Sequence, residues 1–231
     1  MRRNSDEFRA AAVSHANGVY RRRNAQATSA RARHLPRATR TVDKRDLFPS
    51  DYGRVFLLDL VSRVIERLEW ICLSYVLMGT HYHLLVDTPH GNLSSGMQYL
   101  NGVYAQRYNK LLGRYGHVFS ARFWSREIAD DDYLLAAHRY IARNPVEAGF
   151  CRDAGDWLWG SYAAVMGKLR PPSFLDIRRT FGLFSDNEAT AREAFRAFVT
   201  AEDRAVSAEA ATYASPLATD AEPRARSSRT R

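Results

Sequence analysis

His81-Tyr82-His83-Leu84-Leu85-Val86, closed by Asp87-Thr88-Pro89-His90-Gly91, reads as a β-strand ending in a turn. Successive side chains of a strand point to opposite faces, so His81 and His83 share one face while Tyr82 turns to the other, into the core. Two imidazoles side by side on a rigid strand make half of a divalent-metal site. The pattern is short, and a chance match is easy in a chain with 7 histidines. A second half has to come from elsewhere in the chain.

Asp130-Asp131-Asp132-Tyr133-Leu134-Leu135-Ala136-Ala137-His138-Arg139-Tyr140-Ile141-Ala142-Arg143-Asn144-Pro145 supplies it. Acids stand at its start, where the helix dipole favours negative charge. Leu134, Ala137 and Ile141 recur at helical spacing as a core stripe. Pro145 is expected to stop the helix, since the residue before a proline is pushed out of the α region. Tyr140 and Asn144 are four apart and lie on one face. Tyr133 is the rival phenol but has Ala137, not an amide, four residues on. His138 reads as a helix-surface residue or, with Asp87, as a supporting group.

From these blocks the chain resembles the single-tyrosine transposases of the HUH endonuclease superfamily, most closely the REP-associated branch. The matching stretches are Tyr75-Val76-Leu77-Met78-Gly79-Thr80-His81-Tyr82-His83-Leu84-Leu85, Gly91-Asn92-Leu93-Ser94, Leu100-Asn101-Gly102-Val103-Tyr104-Ala105 and Gly116-His117-Val118-Phe119-Ser120-Ala121-Arg122-Phe123. Arg139-Tyr140-Ile141-Ala142-Arg143-Asn144-Pro145-Val146-Glu147-Ala148-Gly149 and Asp156-Trp157-Leu158-Trp159-Gly160-Ser161-Tyr162 follow in the family's order. Gly79-Thr80 replaces the Pro-Asn usual before the histidine strand. Pro36 and its flanking arginines replace an alternating first strand near His34 to Val42, and proline is normally confined to edges or strand starts.

The resemblance implies an α+β fold. An antiparallel sheet carries helices on one face, as in a ferredoxin-like or RRM-like palm, with the histidine strand central and the tyrosine helix beside it. It implies Tyr140 as nucleophile, and His81, His83 and Asn144 holding Mg²⁺ or Mn²⁺. The substrate would be single-stranded DNA bearing hairpin or palindromic repeats, cut through a 5′-phosphotyrosine and rejoined. The protein would act as a monomer or homodimer. A DNA-binding protein of the same fold without chemistry, or a metal-dependent phosphoesterase using water, are the alternatives.

Composition agrees. The formal net charge of +9 favours a polyanionic partner. Arg107 and Lys110 on one side of a helix from Ser94 to about Leu112, and Arg122 and Arg126 among aromatics from Val118 to Ile128, suit contacts to DNA. Phe123 and Trp124 serve equally well as core. The 2 cysteines, Cys72 and Cys151, have no CxxC spacing and fit a reducing, cytoplasmic setting, which the expected DNA partner would make nucleoid-associated. Neither a membrane span nor a secretory signal is legible. The chain divides into a basic arm without fixed structure (1–32), the transposase domain (33–170), a helical extension (171–204) and an Ala/Ser/Arg-rich tail (205–231). Within it, Ser50 or Asp51 caps a helix to about Leu68, Trp70 to Met78 is the second strand, and a further helix runs from about Asn187 to Glu202.

Overall fold

The computed structural model describes residues 32–37 (backbone only), 41–42, 45–128 and 130–201; the arm expected over 1–32 and the tail over 205–231 lie outside this set, save for Ala32. The chain runs through β1 (Ala32–Arg37), α1 (Asp51–Leu68), β2 (Ile71–Leu77), β3 (Tyr82–Thr88), α2 (Leu93–Leu112) and β4 (Trp124–Ile128). There follow α3 (Asp131–Glu147), a 3₁₀ turn (Ala154–Asp156), α4 (Ser161–Val165), α5 (Ile177–Gly182) and α6 (Glu188–Thr200). The strands form one antiparallel sheet in the order β2-β3-β1-β4. With its βαββαβ connectivity this is the expected ferredoxin-like palm, and the histidine strand lies in its interior.

All seven residues of β3 are buried. Tyr82, Leu84 and Val86 face α1 and α2, where Leu57, Leu60, Val61, Met97 and Leu100 close a core with Cys72, Tyr75 and Leu77. A register shift between Cys72 and Ser74 inserts one residue into β2. That bulge lets Cys72 and Tyr75, an odd distance apart, share a face.

Helices were expected on one face of the sheet, yet the second strand, apolar on both faces from Trp70 to Met78, called for cover on both; α3 supplies it on the other face. Leu73, Val76, Met78, Leu85 and Ile128 pack there against Leu134, Ala137 and Ile141. A strand apolar on both sides needs cover on both.

Two prolines behave differently from expectation. Pro36 lies in β1 between two neighbours, not at an edge. Its ladder to β4 is continuous through Pro36↔Ser125, while the ladder to β3 passes from His34↔Val86 to Arg37↔His83 and skips Leu35 and Pro36. The missing donor is accommodated as a local gap in one ladder, so the sheet keeps the strand. Pro145 does not stop α3, which runs to Glu147. Gly149 stops it: at φ 75° it donates to Val146 O (3.0 Å), and Phe150 N donates to Pro145 O (2.8 Å). This is a Schellman closure, which uses the carbonyl ends that proline leaves intact. At the other end Asp130 caps the helix, accepting from Tyr133 N at 2.7 Å.

The C-terminal helices share the main core through Phe181, Phe184, Phe195 and Val199. Leu175 bridges to Cys72, and Asp176 N donates to Cys72 O at 2.9 Å. Trp159 O accepts from Leu77 N at 2.9 Å further along. The outer edge of β2 is thus occupied by the chain's own segments.

Candidate active site

Strand alternation sets the two imidazoles. Tyr82 points into the helical core and donates to Asn101 Oδ1 at 2.6 Å. His81 and His83 therefore project to the α3 side, their ring centroids 4.9 Å apart and their planes at 85°. His83 is only 1% exposed. The Tyr140 ring lies 5.2 Å from the His83 ring, at 89°. The sequence-predicted histidine pair and phenol are thus brought together.

The setting of Tyr140 follows from what grips its helix. Each residue turns an α-helix by about 100°, so Leu134, Ala137 and Ile141 share the flank that packs on the sheet. His138, Arg139 and Arg143 turn instead to α6. His138 packs edge-on against Phe195 at 5.9 Å. Arg139 donates to Ala201 O, and Arg143 Nη1 donates to Val199 O at 3.3 Å. Basic side chains here meet the carbonyl-rich end of α6, where the helix dipole is negative. With two flanks engaged, Tyr140 and Asn144 are left half-buried on the remaining side. Asn144 stands one turn beyond Tyr140, toward the helix end.

His138 is not a surface residue: it is buried, and burial pushes its imidazole down to about 3. Asp87 shares the histidine face but is engaged elsewhere, accepting from Arg179 Nη1 of α5 at 3.0 Å. Tyr133, the rival phenol, has a buried hydroxyl and lies under the Arg126 guanidinium, 5.6 Å from its ring centre. The clamp from α6 was not legible, because Arg139 and Arg143 meet partners more than fifty residues away.

The four basic residues separate. Arg126 shares β4 parity with Ile128, which packs on the α3 face, so it borders the tyrosine side. Arg122 lines an open cleft of about 530 Å³ with Asn101, Ala105 and His117. Lys110 is exposed in the last turn of α2. Arg107 bridges α2 to α1, donating to Tyr52 Oη at 2.5 Å and lying 5.9 Å from the Phe56 ring. Trp124 and Phe123 are half-buried.

Among the described residues no group of three or more His, Cys, Asp or Glu is placed to hold a metal ion. The donor chemistry of two imidazoles plus an amide still fits a divalent ion that keeps several oxygen ligands, and does not fit a closed zinc site. No helix among the described residues is long and apolar enough to cross a membrane.

Residues 36–144 match the family model described as "Transposase IS200 like". That segment, which holds both histidines, the tyrosine and the asparagine, is similar to IS200-like transposases over its length. Among solved structures, one described as a REP-associated tyrosine transposase bound to a REP hairpin is similar in fold, with a TM-score of 0.51 at 17% identity, over 63% of this chain and 83% of the other. No curated protein sequence matches the chain.

Proposed function

We propose that this chain cuts and rejoins single-stranded DNA, with Tyr140 as the nucleophile. The contact that carries the reading is the Tyr140 ring seated 5.2 Å from His83. The phenolic oxygen forms a bond to phosphorus, the bond from phosphorus to the 3′ oxygen breaks, and the phenol's proton is lost. The departing 3′ oxygen takes up a proton. What remains is a 5′-phosphotyrosine and a free 3′-OH, and attack by a 3′-OH reverses the step without ATP.

A phenol with a pKa near 10 is a poor nucleophile at neutral pH. His81, His83 and Asn144 would hold Mg²⁺ or Mn²⁺ beside it. When bound, such an ion supplies positive charge for the phosphate oxygens and the leaving oxygen. Imidazole donors suit Mn²⁺ at least as well as Mg²⁺. Arg126, bordering the same face, suits a backbone phosphate.

The substrate would be hairpin-bearing DNA of the REP type. The fold similarity supports that choice, since the solved relative is described with a REP hairpin. The occupied β2 edge favours a monomer.

The test is an SDS-resistant protein–DNA adduct on hairpin oligonucleotides with single-stranded flanks, read with and without EDTA. Tyr140→Phe should abolish the adduct and leave DNA affinity within about twofold. An adduct surviving in the Phe variant refutes the assignment. Salt-sensitive binding with no adduct under any divalent ion would instead make the chain a DNA-binding protein without chemistry.

A further inference from the structure

Beside the site stands an aromatic pair that the chemistry above does not use. Phe150 and Trp157 stack with ring centroids 5.2 Å apart and planes 19° from parallel. Phe150 nevertheless leaves 51% of its surface in solvent. A lone exposed apolar ring is ordinary on a protein surface. This one is stacked on a second ring and stands between the end of α3 and the turn before the histidine strand.

Its placement is fixed by the backbone. Phe150 is the residue after Gly149 in the closure of α3, and its N–H donates to Pro145 O at 2.8 Å, directly after Asn144. Trp157 is tied to the sheet by Nε1 donating to Leu77 O at 3.1 Å. The pair also leans on the turn that delivers the histidines. A Cβ built on Gly79 would fall 3.8 Å from Phe150 Cζ, and Met78 N donates to His81 O at 2.9 Å across that turn. The shelf therefore joins the end of the tyrosine helix to the start of the histidine strand.

We propose that Phe150, backed by Trp157, is a stacking shelf for one nucleobase of single-stranded DNA next to the cut phosphate. The proposal rests on the DNA-cutting reading above and adds the residue that holds the strand in place. A flat, exposed ring suits the face of a base, and stacking of this kind accepts any base because every base has a π-face. Duplex DNA has its bases already stacked and offers no such face, so the shelf selects for unpaired nucleotides. Phe150 acts by touching the substrate, and Trp157 by keeping its ring in place.

The experiment measures binding without chemistry. A hairpin oligonucleotide with unpaired flanks is titrated by fluorescence anisotropy into the Tyr140→Phe protein and into Tyr140→Phe/Phe150→Ala, while an abasic residue is moved one position at a time along each flank. One position is expected to cost about tenfold in affinity with Phe150 present and less than about twofold without it. Tyr140→Phe/Phe150→Tyr should restore the position-specific loss, which a merely structural role would not do. Equal abasic costs in both proteins at every position overturn the shelf. An adduct formed by the wild type without this coupling removes the shelf and leaves the tyrosine chemistry standing. Coupling without any adduct does the reverse.

Discussion

Two glycines on α2 receive the same substitution and should respond with opposite signs. A Cβ at Gly96 would fall 2.2 Å from Trp70 Cζ2, 2.5 Å from its Cη2 and 2.9 Å from Leu68 Cδ1. Carbon atoms rest about 3.5–4.0 Å apart, so the indole would have to retreat by more than about 1 Å. It has nowhere to go, being 4% exposed and held by Nε1 donating to Asn92 Oδ1 at 2.6 Å. Overpacking of this kind costs up to about 3 kcal/mol, and the better helix propensity of alanine returns about 1 kcal/mol. Gly96→Ala should therefore destabilise by about 2 kcal/mol, a fall of about 4–8 °C in Tm for a domain of this size. Gly102 has nothing within 4 Å of its Cβ position, so only the propensity gain remains, and Gly102→Ala should raise Tm by about 2 °C. Denaturant unfolding of both variants at unchanged m-value decides it. A Gly96→Ala protein as stable as the wild type would refute the packing of α2 on Trp70.

Three further outcomes follow from side chains that the fold brings together. His138 stays neutral when folded, its pKa pushed down to about 3 by burial, whereas the unfolded imidazole takes up a proton near pH 6.5. Its contribution is complete above pH 6.5 and is lost as pH falls toward 3, by up to about 1.4 kcal/mol per unit. His138→Leu should flatten that acid limb in chemical denaturation. Arg179→Met leaves the buried Asp87 carboxylate without its 3.0 Å partner. The expected cost is about 2 kcal/mol, low for a broken buried pair because the Arg179 side chain is itself 39% exposed, and Asp87→Asn in the same chain should recover part of it. Arg143→Ala loosens α3 from α6. Adduct formation should slow about tenfold, the low end of the worth of one charged hydrogen bond, with oligonucleotide affinity unchanged.

The α6 clamp and the packing of α3 on the sheet act on the same problem from opposite sides. A phenol four residues from an amide can meet two imidazoles only if its helix keeps one azimuth, and a slip of one residue swings it by about 100°. The sheet contact alone leaves rotation resisted on one flank. Arg139, Arg143 and His138 resist it on the other, which gives α6 a share in setting the site.

Parity along β3 was enough to put His81 and His83 on one face and Tyr82 in the core, because a strand allows no other arrangement. Helical spacing was enough to join Tyr140 to Asn144. The palm was legible only through the family resemblance, which the order of the blocks carries; the first strand, with its proline, was the doubtful part. What those local rules lack is any measure of distance between elements. That α3 covers the second face, that Pro36 sits inside the sheet, and that Gly149 ends the helix Pro145 was expected to stop, all depend on which partners arrive from elsewhere. Arg107 was readable as a cation, but only packing decided that it would lie against Tyr52 and Phe56 in the helical layer while Arg126 lies over the Tyr133 ring on the α3 face. Local chemistry wrote the parts of the site, and the long-range contacts of the folded chain set where they meet.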